Sequence, residues 1–269
     1  MPLFSSEAVV EALYRSVLGR GADPAGLQHW AEILEADPGR LQEVAESFFQ
    51  SAEHKASPGR AQAATDHSQY GEYKVIRYHF ALQKSKYDII VDVGARGKNG
   101  SNSFDLLEQH GWTGLLVEAN PGLWDSIEAD FSGLAFKLVR CAVSDSPGKL
   151  PFYLGVNDDV SSLSAQQAEI WGPVRGVVEV EARTLGDILR EEAVPFDFDV
   201  LSLDIEGHDV RVFNNLIAET DYRPTMVLIE TSMSFFNRSM NDVPFSDAVR
   251  AGYILAYQTV SNMILLRAP

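Results

Sequence analysis

The residues best placed to do chemistry are acids at the ends of apolar runs. Ile89-Ile90-Val91-Asp92-Val93 runs into Gly94-Ala95-Arg96-Gly97-Lys98-Asn99-Gly100-Ser101, a buried-strand pattern entering a glycine-rich turn and then a helix. Such a turn brings backbone amides and a positive helix end to the carboxyl edge of a sheet, where a nucleotide-like ligand approaches closely. The spacing separates the ligands. A dinucleotide site uses G-x-G-x-x-G beneath the pyrophosphate, whereas Gly94 is followed by Ala95, Arg96 and Gly97 and preceded two positions earlier by Asp92. A carboxylate there suits a ligand with an ammonium group and no pyrophosphate, a description that S-adenosylmethionine meets. Glu118 closes the next apolar run, Leu115-Leu116-Val117-Glu118-Ala119-Asn120-Pro121, where it can accept both ribose hydroxyl hydrogens. A nicotinamide site uses an acid at similar spacing, so an NAD-dependent oxidoreductase is the alternative enzyme.

Methyl transfer from a sulfonium is an in-line displacement, in which the protein positions the acceptor and desolvates the charge. A hydroxyl acceptor must also lose a proton, to a general base or with the help of a metal. Leu203-Asp204-Ile205-Glu206-Gly207-His208-Asp209 leaves a strand at the same sheet edge as Gly94. His208, with its near-neutral intrinsic pKa, is the first candidate base, against the plainer role of capping the next helix. Glu206 would orient His208 or the substrate. Asp204 and Glu230, at neighbouring strand ends, would be adjacent carboxylates able to hold a divalent cation such as Mg²⁺, or, for Asp204, the cofactor's amino group. Asn262, in the tight turn of a terminal hairpin, can project over the same pocket. Phe235, Phe236 and Asn237 within Ser232–Asp242 can meet the acceptor, and Asp158 to Leu163 can form a lid. The other histidines, His29, His54, His67, His79 and His110, show no metal-ligand spacing.

The elements that must position these residues alternate short apolar runs with helical patterns, the mark of a parallel sheet covered on both faces. The runs are 89–93, 114–118, 136–143, 198–204 and 226–230, with helices over 103–110, 123–131, 185–192 and 210–218. Two runs at the end, 253–260 and 262–267, are too close for a crossover and predict an antiparallel hairpin at the sheet edge. A β-rich insertion with strands at 150–154 and 177–181 lies between Lys149 and Thr184. Residues 1–57 read as three short helices, the second and third opened by Asp23-Pro24 and Asp37-Pro38. A polar linker at 58–69 and a helix over 70–83 lead into the main domain, 70–269. The small helical module buries little surface alone, so it is expected to lean on the main domain, a second copy or a partner protein.

The chain has 269 residues, 45% of them hydrophobic, and a formal charge of −16 from 38 acidic against 22 basic residues. Enough apolar residue is present for a core, and the acidic balance argues against a nucleic-acid binder, which needs a basic surface. No stretch approaches the roughly 18 apolar residues of a membrane helix and no basic, apolar leader opens the chain, so a cytoplasmic location is expected. The single cysteine, Cys141, lies in an apolar stretch and reads as a buried, inert thiol.

Five separated blocks, VDVGARGKNGS, LLVEANP, RCAVSDSPG, VEARTLGDIL and LSLDIEGHD, run in order across about residues 86–267. Together they resemble the FkbM family of S-adenosylmethionine-dependent methyltransferases, mostly bacterial O-methyltransferases acting on polyketides, other small metabolites and cell-surface sugars. The resemblance implies a class I methyltransferase fold of the α/β, Rossmann-like class: seven strands in the order 3-2-1-4-5-7-6 with strand 7 antiparallel. It also implies that Asp92, Gly94 and Gly97 surround the methionine part of the cofactor, with Ala95 and Arg96 as further cofactor-binding residues of the same turn. Glu118 would hold the ribose, with Ala119 and Asn120 beside it, and Ala142 and Val143 would lie near the adenine. Arg96 stands where the family more often has a small or amide residue. The first 57 residues resemble a short helical module of unassigned function, found in many bacterial proteins, some glycan-related. The reading is an O-methyltransferase for a sugar, glycoconjugate or small metabolite. Its non-enzymatic rival is an assembly protein on a methyltransferase fold.

Overall fold

The computed structural model describes residues 5–269 except 15–17, 19, 38–39, 52, 54–64, 158–159, 171, 232–238 and 260. The described residues divide into two compact units, 1–66 with 74–84 and 67–73 with 85–269.

In the first unit, Asp23 acts as the predicted helix start, and Ser5 opens the first helix in the same way. The Ser5 hydroxyl accepts from Ala8 N at 3.2 Å to open Ser6–Leu13 (α1), and Asp23 accepts from Gly26 N at 2.9 Å to open Pro24–Ala36 (α2). Pro24 occupies the first helical position, where a missing N–H leaves nothing unpaired. Leu41–Gln50 (α3) follows, with Arg40 at its N-cap and no side-chain cap; Asp37, expected to open it, is instead the C-cap of α2, and Pro38 lies outside the described residues. Val10, Leu13, Leu34, Val44 and Phe48 form the core of this unit, with Tyr14 edge-on to Phe48 at 4.9 Å. The helix Glu72–Leu82 (α4) is divided: Glu72 and Tyr73 belong to the second unit and the remainder to the first, where Tyr78 packs on the helical core.

The second unit is built on the expected alternation. In chain order it runs Ile89–Val93 (β1), Phe104–His110 (α5), Thr113–Val117 (β2), Trp124–Asp130 (α6), Phe136–Val139 (β3), Ala142–Val143 (β4), Gly148–Leu154 (β5), Ala165–Ala168 (α7) and Gly176–Arg183 (β6). It continues with Leu185–Glu191 (α8), Val200–Leu203 (β7), Asp209–Glu219 (α9), Met226–Glu230 (β8), Asp247–Gly252 (α10), Tyr253–Gln258 (β9) and Asn262–Arg267 (β10). Seven strands form one sheet in the order β3-β2-β1-β7-β8-β10-β9. All neighbours are parallel except β10, which is antiparallel to β8 and β9. Counted within this sheet the order is 3-2-1-4-5-7-6, the class I methyltransferase arrangement. β7 is buried along its whole length and β1, β2 and β8 nearly so, as strands covered on both faces must be. No helix among the described residues is long and apolar enough to cross a membrane.

The run expected as one strand over 136–143 is two. The β2–β3 ladder ends at Val117↔Val139, exposed Arg140 turns out to pair with Glu128, and β4 changes partner to β6. With β5 it makes a second, three-stranded sheet in the order β4-β6-β5, which is the β-rich insertion. The short helices α7 and α10 are absent from the sequence reading.

Candidate functional site

The parallel strands leave the sheet at one edge, and their exits are locked together there. Gly94 follows β1 with φ +89°, and its N–H and that of Ala95 both donate to Val117 O, at 2.9 and 3.1 Å. A Cβ on Gly94 would lie 1.8 Å from the backbone oxygen of Asp204. Only glycine therefore lets the β1 exit touch the β7 exit. Gly97, at φ +133°, packs on the Asp130 carboxylate, which accepts from Lys98 N at 2.9 Å.

A cavity of about 570 Å³ opens at this edge, and Asp92, Glu118, Asp204, Glu206 and Glu230 all line it, a size ordinary for a small-molecule site. Gly94, Arg96, Ala119, Ala142, Val143 and His208 share its wall. Ala95, Gly97 and Asn120 shape the wall without forming it. Ala95 is buried in the turn, and Asn120 is committed to its own loop, its N–H donating to Glu118 and its side-chain oxygen accepting from Gly122 N at 3.0 Å.

The two ends of the cavity differ in chemistry. At one, Glu118 stands beside the apolar surface of Ala142, Val143, Phe152 and Leu123, which together suit a ribose and a flat base. Towards the other, buried Asp92 accepts from Ser103 Oγ at 2.6 Å. Burial pushes its carboxyl above the ordinary range, and the Ser103 and Ser202 hydroxyls pull it back. Asn102 escaped the sequence reading because a lone amide carries no pattern. Its Nδ2 donates to Ser202 Oγ at 3.1 Å, which leaves Oδ1 buried on the cavity wall with no hydrogen-bond partner. An acceptor left so needs a donor such as an ammonium group. These groups fit a nucleoside cofactor with an amino-acid tail.

Beyond β7 and β8, one carboxyl oxygen each from Asp204, Asp209 and Glu230 lies within 4.8 Å of the others. Asp209 is committed to the loop between, accepting from Ile205 N at 2.8 Å and Gly207 N at 3.1 Å. Those bonds hold Glu206 at φ +51° and Gly207 at φ +95°. Asp204 and Glu230 face each other. Burial first, then their neighbouring negative charges, raise both carboxyls, Asp204 well above its ordinary value and Glu230 to about 8. A carboxyl raised in the folded state favours folding fully below its unfolded pKa, and the advantage fades as pH climbs from there to about 8. Glu230→Gln is therefore expected to melt above the wild type at pH 8 by more than at pH 5, and a constant offset in pH-dependent melting curves would contradict the pairing.

His208 precedes α9 without capping it through its side chain. It is half-buried, Nδ1 has no hydrogen-bond partner, and burial followed by the Arg211 charge lowers its pKa below the ordinary value. At neutral pH it is an unprotonated imidazole on the cavity wall. Glu206 lines the same wall, and its backbone oxygen accepts from Ser162 Oγ at 2.9 Å.

Asn262 does not reach over the cavity. It is buried and its Nδ2 donates to Glu72 Oε1 at 2.9 Å, while its neighbour Ser261 lines the wall instead. The candidate acceptor residues Phe235, Phe236 and Asn237, and the Asp158-Asp159 pair, lie outside the described residues, whereas Val160, Ser161 and Leu163 are on the wall. Cys141 is buried, with its thiol pushed up to about 11 by burial, as an inert thiol should be.

The family model described as "Methyltransferase FkbM domain" matches residues 92–255, more than half of the chain. A second, described as "Domain of unknown function (DUF4214)", matches residues 4–57. Among curated proteins none matches. Among solved structures the chain is similar to a mutant of MtNAS in complex with S-adenosylmethionine, at 15% identity and a TM-score of 0.39, with 100% of each chain covered. At that score the likeness places no residue and no ligand.

Proposed function

From the premise that the chain belongs to the FkbM methyltransferase family, we propose that it is an S-adenosylmethionine-dependent O-methyltransferase acting on a hydroxyl of a sugar, a glycoconjugate or another small polar metabolite. The observation that carries the oxygen specificity is His208, an imidazole of lowered pKa on the wall shared with the glycine turn and the strand-end acids. An alcohol cannot attack without losing its proton, and a neutral histidine at the site can take it.

The donor, when bound, supplies a methyl group activated by a positive sulfur. Glu118 would accept from its ribose hydroxyls, the Ala142–Val143 surface would cover its base, and Asn102 Oδ1 with Asp92 would receive its ammonium group. Asp204 and Glu230 favour positive charge over the edge. His208 removes the acceptor proton, and Glu206 orients it or the acceptor. Asn102, Asn157, Ser161, Ser202 and Ser261 give the wall many hydrogen-bonding groups, which supports a polyhydroxylated acceptor.

A second reading of the activation step rests on the Asp204–Glu230 pair. Two facing carboxylates, with Asp209 close by, are a donor set suited to a divalent cation that would lower the acceptor's pKa. Turnover that survives exhaustive chelation removes this reading.

The test is transfer of isotope-labelled methyl from S-adenosylmethionine to a panel of simple glycosides, nucleotide sugars and small alcohols, run beside amine and carboxylic-acid counterparts. A methyl group that resists mild base, as an ether does and an ester does not, is the expected product. Labelling confined to carboxyl or amine acceptors would refute the oxygen assignment.

A further inference from the structure

Gln69 and Tyr70 stand on the cavity wall, although they precede the residues that the methyltransferase family model matches. They belong to a strap, residues 67–71, that is fastened at both ends. At the front, the Asp105 carboxylate accepts from His67 N at 2.6 Å and lies 2.8 Å from His67 Nδ1, and His67 O accepts from Gly100 N at 2.7 Å. Ser68 also pairs with Gly100. At the rear is Glu72, a carboxylate with 0% exposure. Its Oε2 accepts from Tyr70 N at 2.8 Å, and its Oε1 accepts from Thr259 Oγ1 at 2.7 Å and Asn262 Nδ2 at 2.9 Å. A carboxyl group buried so completely is tolerable only when its oxygens are hydrogen-bonded, and here the bonds join the strap to the turn before β10.

The anchor points fix the path. Gly100 follows β1, Asn262 pairs with Glu230 at the end of β8, and β7 lies between. The strap therefore runs from the loop after β1, where Asn102 meets β7 at Ser202, to the turn before β10. Its front anchor is the loop that carries Asn102 and its unpartnered Oδ1.

We propose that residues 67–71, held by Glu72 as a positioning residue, enclose the amino-acid tail of the methyl donor, with Gln69 and Tyr70 in contact with it. The proposal rests on the methyl-donor reading above. It assigns the tail to residues that precede the family match, held in place by residues that follow it.

Calorimetry on the full chain with two probes decides it: S-adenosylhomocysteine, and 5′-methylthioadenosine, which has the same nucleoside and sulfur but no amino-acid tail. Tyr70→Ala, at a residue 36% exposed, is expected to weaken S-adenosylhomocysteine about tenfold and methylthioadenosine by less than about twofold. Glu72→Gln keeps the shape but cannot serve donors on both sides, so it should reproduce that selective loss. Equal weakening of both probes, or unchanged S-adenosylhomocysteine binding in Tyr70→Ala, overturns the strap. A wild-type chain that binds no S-adenosylhomocysteine overturns the donor reading itself, and this proposal with it.

Discussion

Gly94→Ala is expected to abolish cofactor binding and to destabilise the fold by about 3 kcal/mol or more, a backbone strain and a steric clash acting together. At φ +89° an alanine is already strained, and its Cβ would sit 1.8 Å from Asp204 O. The obstacle is backbone, and it cannot retreat alone, because Asp204 N donates to Val93 O at 3.0 Å in the same junction. Relief requires the β1 and β7 exits to part, which carries Asp204 away from Asp92. Gly111→Ala separates the two causes. Gly111 has φ +66° but open space around its Cβ, so it should cost only about 1 kcal/mol, the price of a left-handed alanine. Denaturant unfolding of both variants checks this, and equal losses would mean that the contact between the strand exits is not what makes glycine necessary.

His208→Ala is expected to lower kcat about 10²- to 10⁴-fold, the usual contribution of a general base, while S-adenosylhomocysteine binds as before. The pH profile identifies the base independently. With its pKa lowered by burial and Arg211, His208 gives a rate that rises below about pH 6.5 and is flat through neutrality. If Glu230 were the base, the rise would centre near its raised value of about 8. Full turnover in His208→Ala, or a limb near pH 8, would transfer the role to the carboxyl pair.

What the sequence made legible was local. The glycine turn after β1, the acids at the ends of β1, β2, β7 and β8, and the close spacing of the last two strands are set by neighbours a few positions apart, and residue type reveals them. Features set by distant partners were hidden. Nothing near Val139 announces that the ladder stops and that Ala142 will pair with Ala182. Asn262 looked free to enter the pocket because Glu72, which holds it, is 190 positions away in the chain. The same bond makes the strap, so the error about Asn262 and the missed roles of Gln69 and Tyr70 have one origin. The helix over 72–82 shows a related limit. Its apolar spacing gives a helix, but the partners of Tyr78 lie in the first unit rather than ahead of it in the sheet.

The acidic excess also changes meaning once the fold is known. Five acids line one cavity, and burial raises the carboxyls of Asp92, Asp204 and Glu230. A bound positive charge would relieve them, which links the cavity to a sulfonium- or ammonium-bearing ligand.

The most direct measurement is isothermal titration of the full chain with S-adenosylhomocysteine, beside Glu118→Ala. The wild type is expected to bind one equivalent, and the variant, which loses the ribose acceptor, to bind at least about tenfold more weakly. A wild type that takes up no S-adenosylhomocysteine, or a Glu118→Ala variant that binds it equally well, would contradict the assignment of this cavity to the methyl donor.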